Sequence, residues 1–274
     1  MPQWRSLAGL GKGQVMYIGD STFLCVFVSI VLFSFGTVFG SAINCMASRI
    51  VAGESWIKGK SHCEHCGHEL GFFDLFPVLS YVFLGGKCRY CHTHISIRYV
   101  LVEIFCGLSF VLLFLSSKTL DARLLEYLIL TIILFGLSLV DLDSYIIPDG
   151  IIIAGILNWL VFGLFMADKK SYYLNGLIGG FCIGGFILGM SLLMDRILKK
   201  ESLGGGDIKL LFMVCLYTGP FKGLLLLFLS CLIGLFFVVL LKERKIAFGP
   251  SISIATYFVL LYGDRLLNWY LNLF

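Results

Sequence analysis

Charge is what this sequence has least of. Only 14% of its 274 residues are Asp, Glu, Lys or Arg, 58% are hydrophobic, and the mean hydropathy is +0.93. A soluble domain of this length would carry about 25% charged residues. A strong balance of either sign is missing as well: a formal net charge of +4 gives no case for a nucleic-acid partner. The apolar runs lack the alternation of a transmembrane β-barrel. They are continuous, and several approach or exceed the roughly 20 residues that cross a bilayer as a helix. The first, near 22–40, lacks a small-residue cleavage site and is expected to stay as a membrane helix. There is no tandem repeat, no low-complexity segment and no nucleotide-binding glycine fingerprint. No histidine lies outside 62–94.

What is there predicts an all-α polytopic membrane protein of about eight transmembrane helices with a small zinc-stapled cytoplasmic loop domain. The candidate spans are 21–46, 98–117, 122–141, 150–167, 174–195, 207–219, 221–241 and 250–271. The sixth is short, bounded by glycines and by Gly219-Pro220, and is expected to be a broken or half-buried helix packed on protein. Residues 1–20 form a polar lead expected to lie along the surface. Basic residues such as Arg49, Lys87, Arg89, Arg98, Arg196 and Lys242 gather on one side, which puts the 49–97 loop inside and the N-terminus outside. The chain therefore divides into a lead and first helix (1–48), the loop (49–97) and a helical core (98–274).

Ten cysteines fall into two groups. Cys25, Cys45, Cys106, Cys182, Cys215 and Cys231 lie in apolar runs, where cysteine packs as a small hydrophobe. Cys63, Cys66, Cys88 and Cys91 form two Cys-x-x-Cys knuckles in the polar loop, with 21 residues between them. Four thiolates on two tight turns suit a tetrahedral zinc ion in a closed, structural site. A loop this small needs such a staple. His65, inside the first knuckle, is the histidine that could stand in as a ligand.

The acids are few enough to take singly. In Leu203-Gly204-Gly205-Gly206-Asp207-Ile208-Lys209 an aspartate follows three glycines at the edge of an apolar segment; an ionisable residue there needs a functional reason. The glycines would let another backbone come close. In Asp141-Leu142-Asp143-Ser144-Tyr145-Ile146-Ile147-Pro148-Asp149 three acids occur without a Lys or Arg. Asp141 directly follows the apolar run and lies deepest, while Asp149 reads as a cap of the next helix. Two carboxylates brought together share a proton and a water, which is the chemistry of aspartic proteases. Ordinary loop acids, or the proton-carrying acids of a membrane transporter, are the other readings. A transporter predicts acids near the middle of spans and inverted repeats, and neither is seen.

Taken together these residues resemble the type IV prepilin peptidase family, from about Phe39 to Pro250. Phe39-Gly40-Ser41-Ala42-Ile43-Asn44 and Arg49 are similar to its first-span ending. The loop follows with Asp74-Leu75-Phe76-Pro77-Val78-Leu79-Ser80-Tyr81, Gly86-Lys87-Cys88-Arg89-Tyr90-Cys91 and Ile97-Arg98-Tyr99-Val100-Leu101-Val102-Glu103. Val140-Asp141 with Pro148-Asp149 resembles the motif of the first catalytic aspartate. Gly204-Gly205-Gly206-Asp207-Ile208-Lys209 resembles the Gly-x-Gly-Asp-x-Lys motif of the second, and Phe248-Gly249-Pro250 the start of the last span. Glu64 and Ala247 depart from the usual prolines.

The resemblance implies a bacterial inner-membrane aspartyl endopeptidase that works among lipid and cleaves the leader of a prepilin or pseudopilin at the cytoplasmic face. It implies Asp141 and Asp207 as the catalytic pair, with Asp143 the competitor for the first position. It also implies N-methylation of the new N-terminus from S-adenosylmethionine. Gly204 and Gly206 are expected to give passage to substrate backbone and Lys209 to balance charge beside Asp207. Glu103 is expected either to serve the methyl donor or to pair with Arg98.

Overall fold

The computed structural model describes residues 16–18, 21–55, 62–63, 65–71, 74, 76–199, 203–242 and 246–272. Apolar runs become helices because in a bilayer a backbone must satisfy its own polar groups. In chain order they are α1 (Thr22–Val51), a one-turn α2 (Leu79–Phe83), α3 (Ile97–Ser117), α4 (Ala122–Ser144), α5 (Asp149–Gly163), α6 (Lys169–Leu198), α7 (Gly205–Leu241) and α8 (Gly249–Leu271). Side chains of Ser21, Ser96, Asp121 and Asp168 cap α1, α3, α4 and α6 by accepting backbone N–H bonds. By length and composition α1, α3, α4, α6 and α7 can each cross a membrane, and α5 is a shorter apolar helix. Part of the lead is pinned: β1 (Met16–Tyr17) pairs antiparallel with β2 (Thr119–Leu120), and Ile18 beside it is buried. Residues 1–15 and 19–20 of that lead lie outside the described residues.

Two cores share one helix. Ile43, Cys106, Phe110, Phe114, Leu128 and Val140 join α1, α3 and α4. Leu134, Leu137, Ile152, Trp159, Leu210, Met213 and Ile252 join α4, α5, α7 and α8. Close approach rather than bulk fastens α1 to α3: a Cβ on Gly40 would fall 2.8 Å from the Cα of Glu103, so only glycine fits there. Far from the cysteine loop, the buried Glu126 of α4 accepts a hydrogen bond from the Tyr172 hydroxyl of α6. Asn158 of α5 donates to the Glu126 carbonyl (3.1 Å) and to the Tyr217 hydroxyl of α7 (3.0 Å). Four helices are thus tied by polar bonds at that end.

The sixth and seventh apolar runs are two arms of α7. Gly219 has φ +72° and ψ −176°, a conformation only glycine adopts without strain, and Pro220 follows it. The arms turn back on each other. A Cβ on Gly223 would come within 3.1 Å of Cys215 Sγ and 3.6 Å of Thr218 Oγ1, whereas residues eight apart in a straight helix are separated by about 12 Å. The first arm is the short segment expected to pack on protein, and residues 213–219 are all buried. The second arm runs antiparallel to α8, with Lys222 paired to Asp264 (2.9 Å) and Gly234 against Phe248.

Some helix ends lie beyond the apolar runs. α4 continues to Ser144, so Asp141 and Asp143 occupy its last turn rather than a loop, and Tyr145 closes it in a left-handed conformation. Asp149 does not cap α5. Pro148 takes the cap position in extended backbone, and Asp149 is the first helical residue, where an acid complements the helix dipole.

Candidate active site

The four acids of the two aspartate motifs are sorted by their partners. Asp143 receives two parallel bonds from the Arg98 guanidinium, at 2.6 and 2.9 Å. Asp149 is paired with Lys209 at 2.7 Å. Lys209 therefore balances Asp149 across α5 and α7, rather than Asp207. Asp141 and Asp207 remain without a cation among the described residues.

Asp141 is 4% exposed, and its Oδ2 accepts the backbone N–H of Gly249 at 2.8 Å. Gly249 opens α8, where the first N–H groups have no partner within the helix. The fit is close: a Cβ on Gly249 would sit 2.6 Å from that oxygen. In the sequence this residue is legible only as part of the Phe-Gly-Pro motif; a glycine just before a proline that starts a helix is its signal. Asp207 stands in the first turn of α7, half-buried, with Gly204 in the cap position. It interacts electrostatically with Asp141. The structure brings the two aspartates to one end of one core: Leu137, a turn before Asp141, and Leu210, a turn after Asp207, are both fully buried in the same cluster.

The glycines before Asp207 have unequal surroundings. A Cβ on Gly206 would meet Ile147 Cβ at 2.9 Å, so Gly206 lets α7 start directly on the segment between α4 and α5. Gly204 faces the Asp207 carboxyl and is exposed, and Gly205 has open space around its α-carbon.

In the loop, the four sulfurs lie within 4.8 Å of one another, and Cys63 and Cys91 Sγ are 3.8 Å apart. A tetrahedron with zinc–sulfur bonds of about 2.3 Å has edges of about 3.8 Å, so the cysteines fit such an ion. The two knuckles are copies of one turn. Cys63 N–H donates to His68 O and Gly67 N–H to Cys63 O; Cys88 N–H donates to Thr93 O and His92 N–H to Cys88 O. Gly67 and His92 hold the same left-handed position, at φ +68° and +59°. His62 bridges Glu69 as Lys87 bridges His94. The Thr93 hydroxyl, 3.4 Å from Cys91 Sγ, holds that thiol down to about 6, and the backbone N–H groups of Cys66 and His65 hold Cys63 below the ordinary thiol range. His65 is exposed and lies outside the sulfur cluster.

Glu103 does not pair with Arg98. Its Oε2 accepts the N–H of Val78 at 2.8 Å, and the Ser41 hydroxyl bonds the same buried carboxyl group. Val78 has φ +61°, which is strained for a branched residue. A carboxylate on α3 thus pins the middle of the loop to the helices. Asp74, by contrast, ties the loop to itself through Arg89 (2.7 Å) and the Tyr90 hydroxyl (3.2 Å).

Known proteins carry the same order of parts. Residues 34–117 match the family model described as the Bacterial Peptidase A24 N-terminal domain, and residues 128–239 the one described as the Type IV leader peptidase family. A prepilin leader peptidase/N-methyltransferase of Aeromonas hydrophila is 33% identical over 224 residues, covering 78% of this chain and 76% of its own. One from Pseudomonas putida is 34% identical over 221 residues, 75% of this chain and 73% of its own. One from Neisseria gonorrhoeae is 31% identical over 223 residues, 79% and 77%. No solved structure matches. Both halves of the helical fold match in order, with relatives of this identity across three quarters of each chain, and the chain belongs to the type IV leader peptidase family.

Proposed function

We propose that this protein is a multi-pass inner-membrane peptidase that removes the leader of a type IV prepilin or pseudopilin at the cytoplasmic face, with Asp141 and Asp207 as its catalytic pair. The observation that carries this reading is the convergence of two otherwise uncompensated carboxyl groups at one end of a single helical core. One carboxylate takes a proton from water as the oxygen attacks the scissile carbonyl carbon; the other, protonated, gives its proton to the leaving amine as the C–N bond breaks. The pair acts as a unit, and its two titrations belong to both groups. Burial of Asp141 and its bond to Gly249 hold it in place for that step. The exposed Gly204–Gly205 edge is where an extended substrate backbone would pass beside Asp207. The apolar helix of the substrate would stay in lipid alongside the enzyme, fixing the depth of the scissile bond.

Cys63, Cys66, Cys88 and Cys91 would hold zinc, which supplies a closed tetrahedral staple with no open coordination position. The relatives' names pair leader peptidase with N-methyltransferase, and the matching loop favours the same second step here: transfer of a methyl group from S-adenosylmethionine to the newly freed amine. A proton-carrying transporter is disfavoured, because Asp141 lies in the last turn of α4 and Asp207 in the first turn of α7. The test is cleavage of a prepilin by purified enzyme in lipid, with Asp141→Asn and Asp207→Asn alongside. Near-normal cleavage by either variant would refute the pair.

A further inference from the structure

The last turn of α4 is an exposed helix end, yet it must hold a buried carboxylate in register. Beyond Ser144 the chain leaves the helix through the left-handed Tyr145, whose N–H donates to the Asp141 carbonyl at 2.8 Å. Such ends fray readily. Besides the Gly249 N–H, which reaches Asp141 itself, Arg98 crosses to this turn from the start of α3, where the cysteine loop rejoins the helices. Its two nitrogens meet the two oxygens of Asp143, 45 residues away in sequence. This fork-to-fork geometry fixes orientation as well as distance. Arg98 itself stands on a fixed base. The Ser96 hydroxyl caps its N–H, and the buried Asn44 of α1 donates to the carbonyl of the next residue, Tyr99, at 3.0 Å.

Resting on the peptidase reading above, we propose that Arg98 is a positioning residue for the reaction: its clamp on Asp143 holds the end of α4, and with it Asp141, in the place set by the α1–α3 layer. The pair is half-exposed, with side chains 45% and 32% accessible. A pair of that kind adds little to global stability, so its removal loosens one helical turn without unfolding the protein. Lysine cannot replace the fork, since a single ammonium does not make two parallel bonds. Asp143 serves here as the anchor through which Arg98 reaches Asp141.

Arg98→Lys, Arg98→Met and Asp143→Asn are compared with the parent enzyme for kcat and KM on a prepilin in lipid, for bound metal and for thermal unfolding. Each is expected to lower kcat by about tenfold, less than the ~100-fold that a misplacement of 1 Å can cost, with KM, metal content and unfolding temperature close to parent. The reversed pair, Arg98→Asp with Asp143→Arg, is expected to recover most of the loss. Unchanged kcat in the single variants overturns the proposal. So does a loss that follows metal content or unfolding, which would make the pair merely structural, and so does a change confined to KM, which would make these residues substrate contacts. A reversed pair no better than the singles overturns it as well. Asp141→Asn in the same assay separates the two readings, because its retained activity would refute the peptidase assignment itself whatever Arg98 does.

Discussion

The cysteine knuckles are one backbone turn used twice, whereas Asp141 and Asp207 sit at unlike ends of unlike helices. Each knuckle closes on itself through backbone bonds between residues four and five positions apart, so half the cysteine cluster is written into each short stretch. The two aspartates share no such local design. One ends a helix, is buried, and accepts an N–H from a third element; the other begins a helix and is half-buried. A site made of local turns can tolerate a shift of the surrounding helices. A site made of helix ends exists only while α4, α7 and α8 keep their packing.

That contrast can be broken at several strengths. Asp141→Asn and Asp207→Asn should each reduce cleavage by at least ~100-fold, the lower range for loss of a general acid or base, while zinc content measured by elemental analysis stays at parent level. Gly249→Ala should come next, at about 100-fold in kcat, because its methyl carbon would fall 2.6 Å from Asp141 Oδ2 and push that carboxyl out of place. Methylation of a peptide that is already cleaved should be far less affected by that change. Cys63→Ser, or removal of metal by a chelator, should invert the pattern: metal content falls and the 49–97 loop becomes open to limited proteolysis, while protease-resistant fragments of α4 through α8 persist. Lys209→Met should have the smallest effect, up to about 1 kcal/mol of stability, since its bond to Asp149 is an exposed ion pair. A large loss of cleavage in that variant would place Lys209 at the reacting atoms.

The same contrast explains which parts could be read in advance. Cys63, Cys66, Cys88 and Cys91 announce themselves because ligand spacing is a local property. The helices follow from apolar length, and Gly219-Pro220 marks a break. The direction of the chain after that break is not local, since it depends on α6 lying close enough to receive both arms. Arg98 shows the limit most clearly. Glu103 was the nearest acid in its own helix, but five residues apart the two point to different faces, and its true partner comes from α4. Gly249 was legible as a helix start but not as a donor to Asp141, 108 positions earlier.

The reversal at Gly219 also decides a matter of parity. A continuous helix of 37 residues would be about 55 Å long and would count as one crossing, leaving Asp207 and the start of α8 on opposite sides of a bilayer. By turning back, α7 instead returns toward the end from which it started. The aspartate at its beginning and the Gly249 that follows its end then arrive at the same end of the helical core, beside Asp141. One glycine in the apolar interior thus determines whether the parts of the carboxylate site can meet at all.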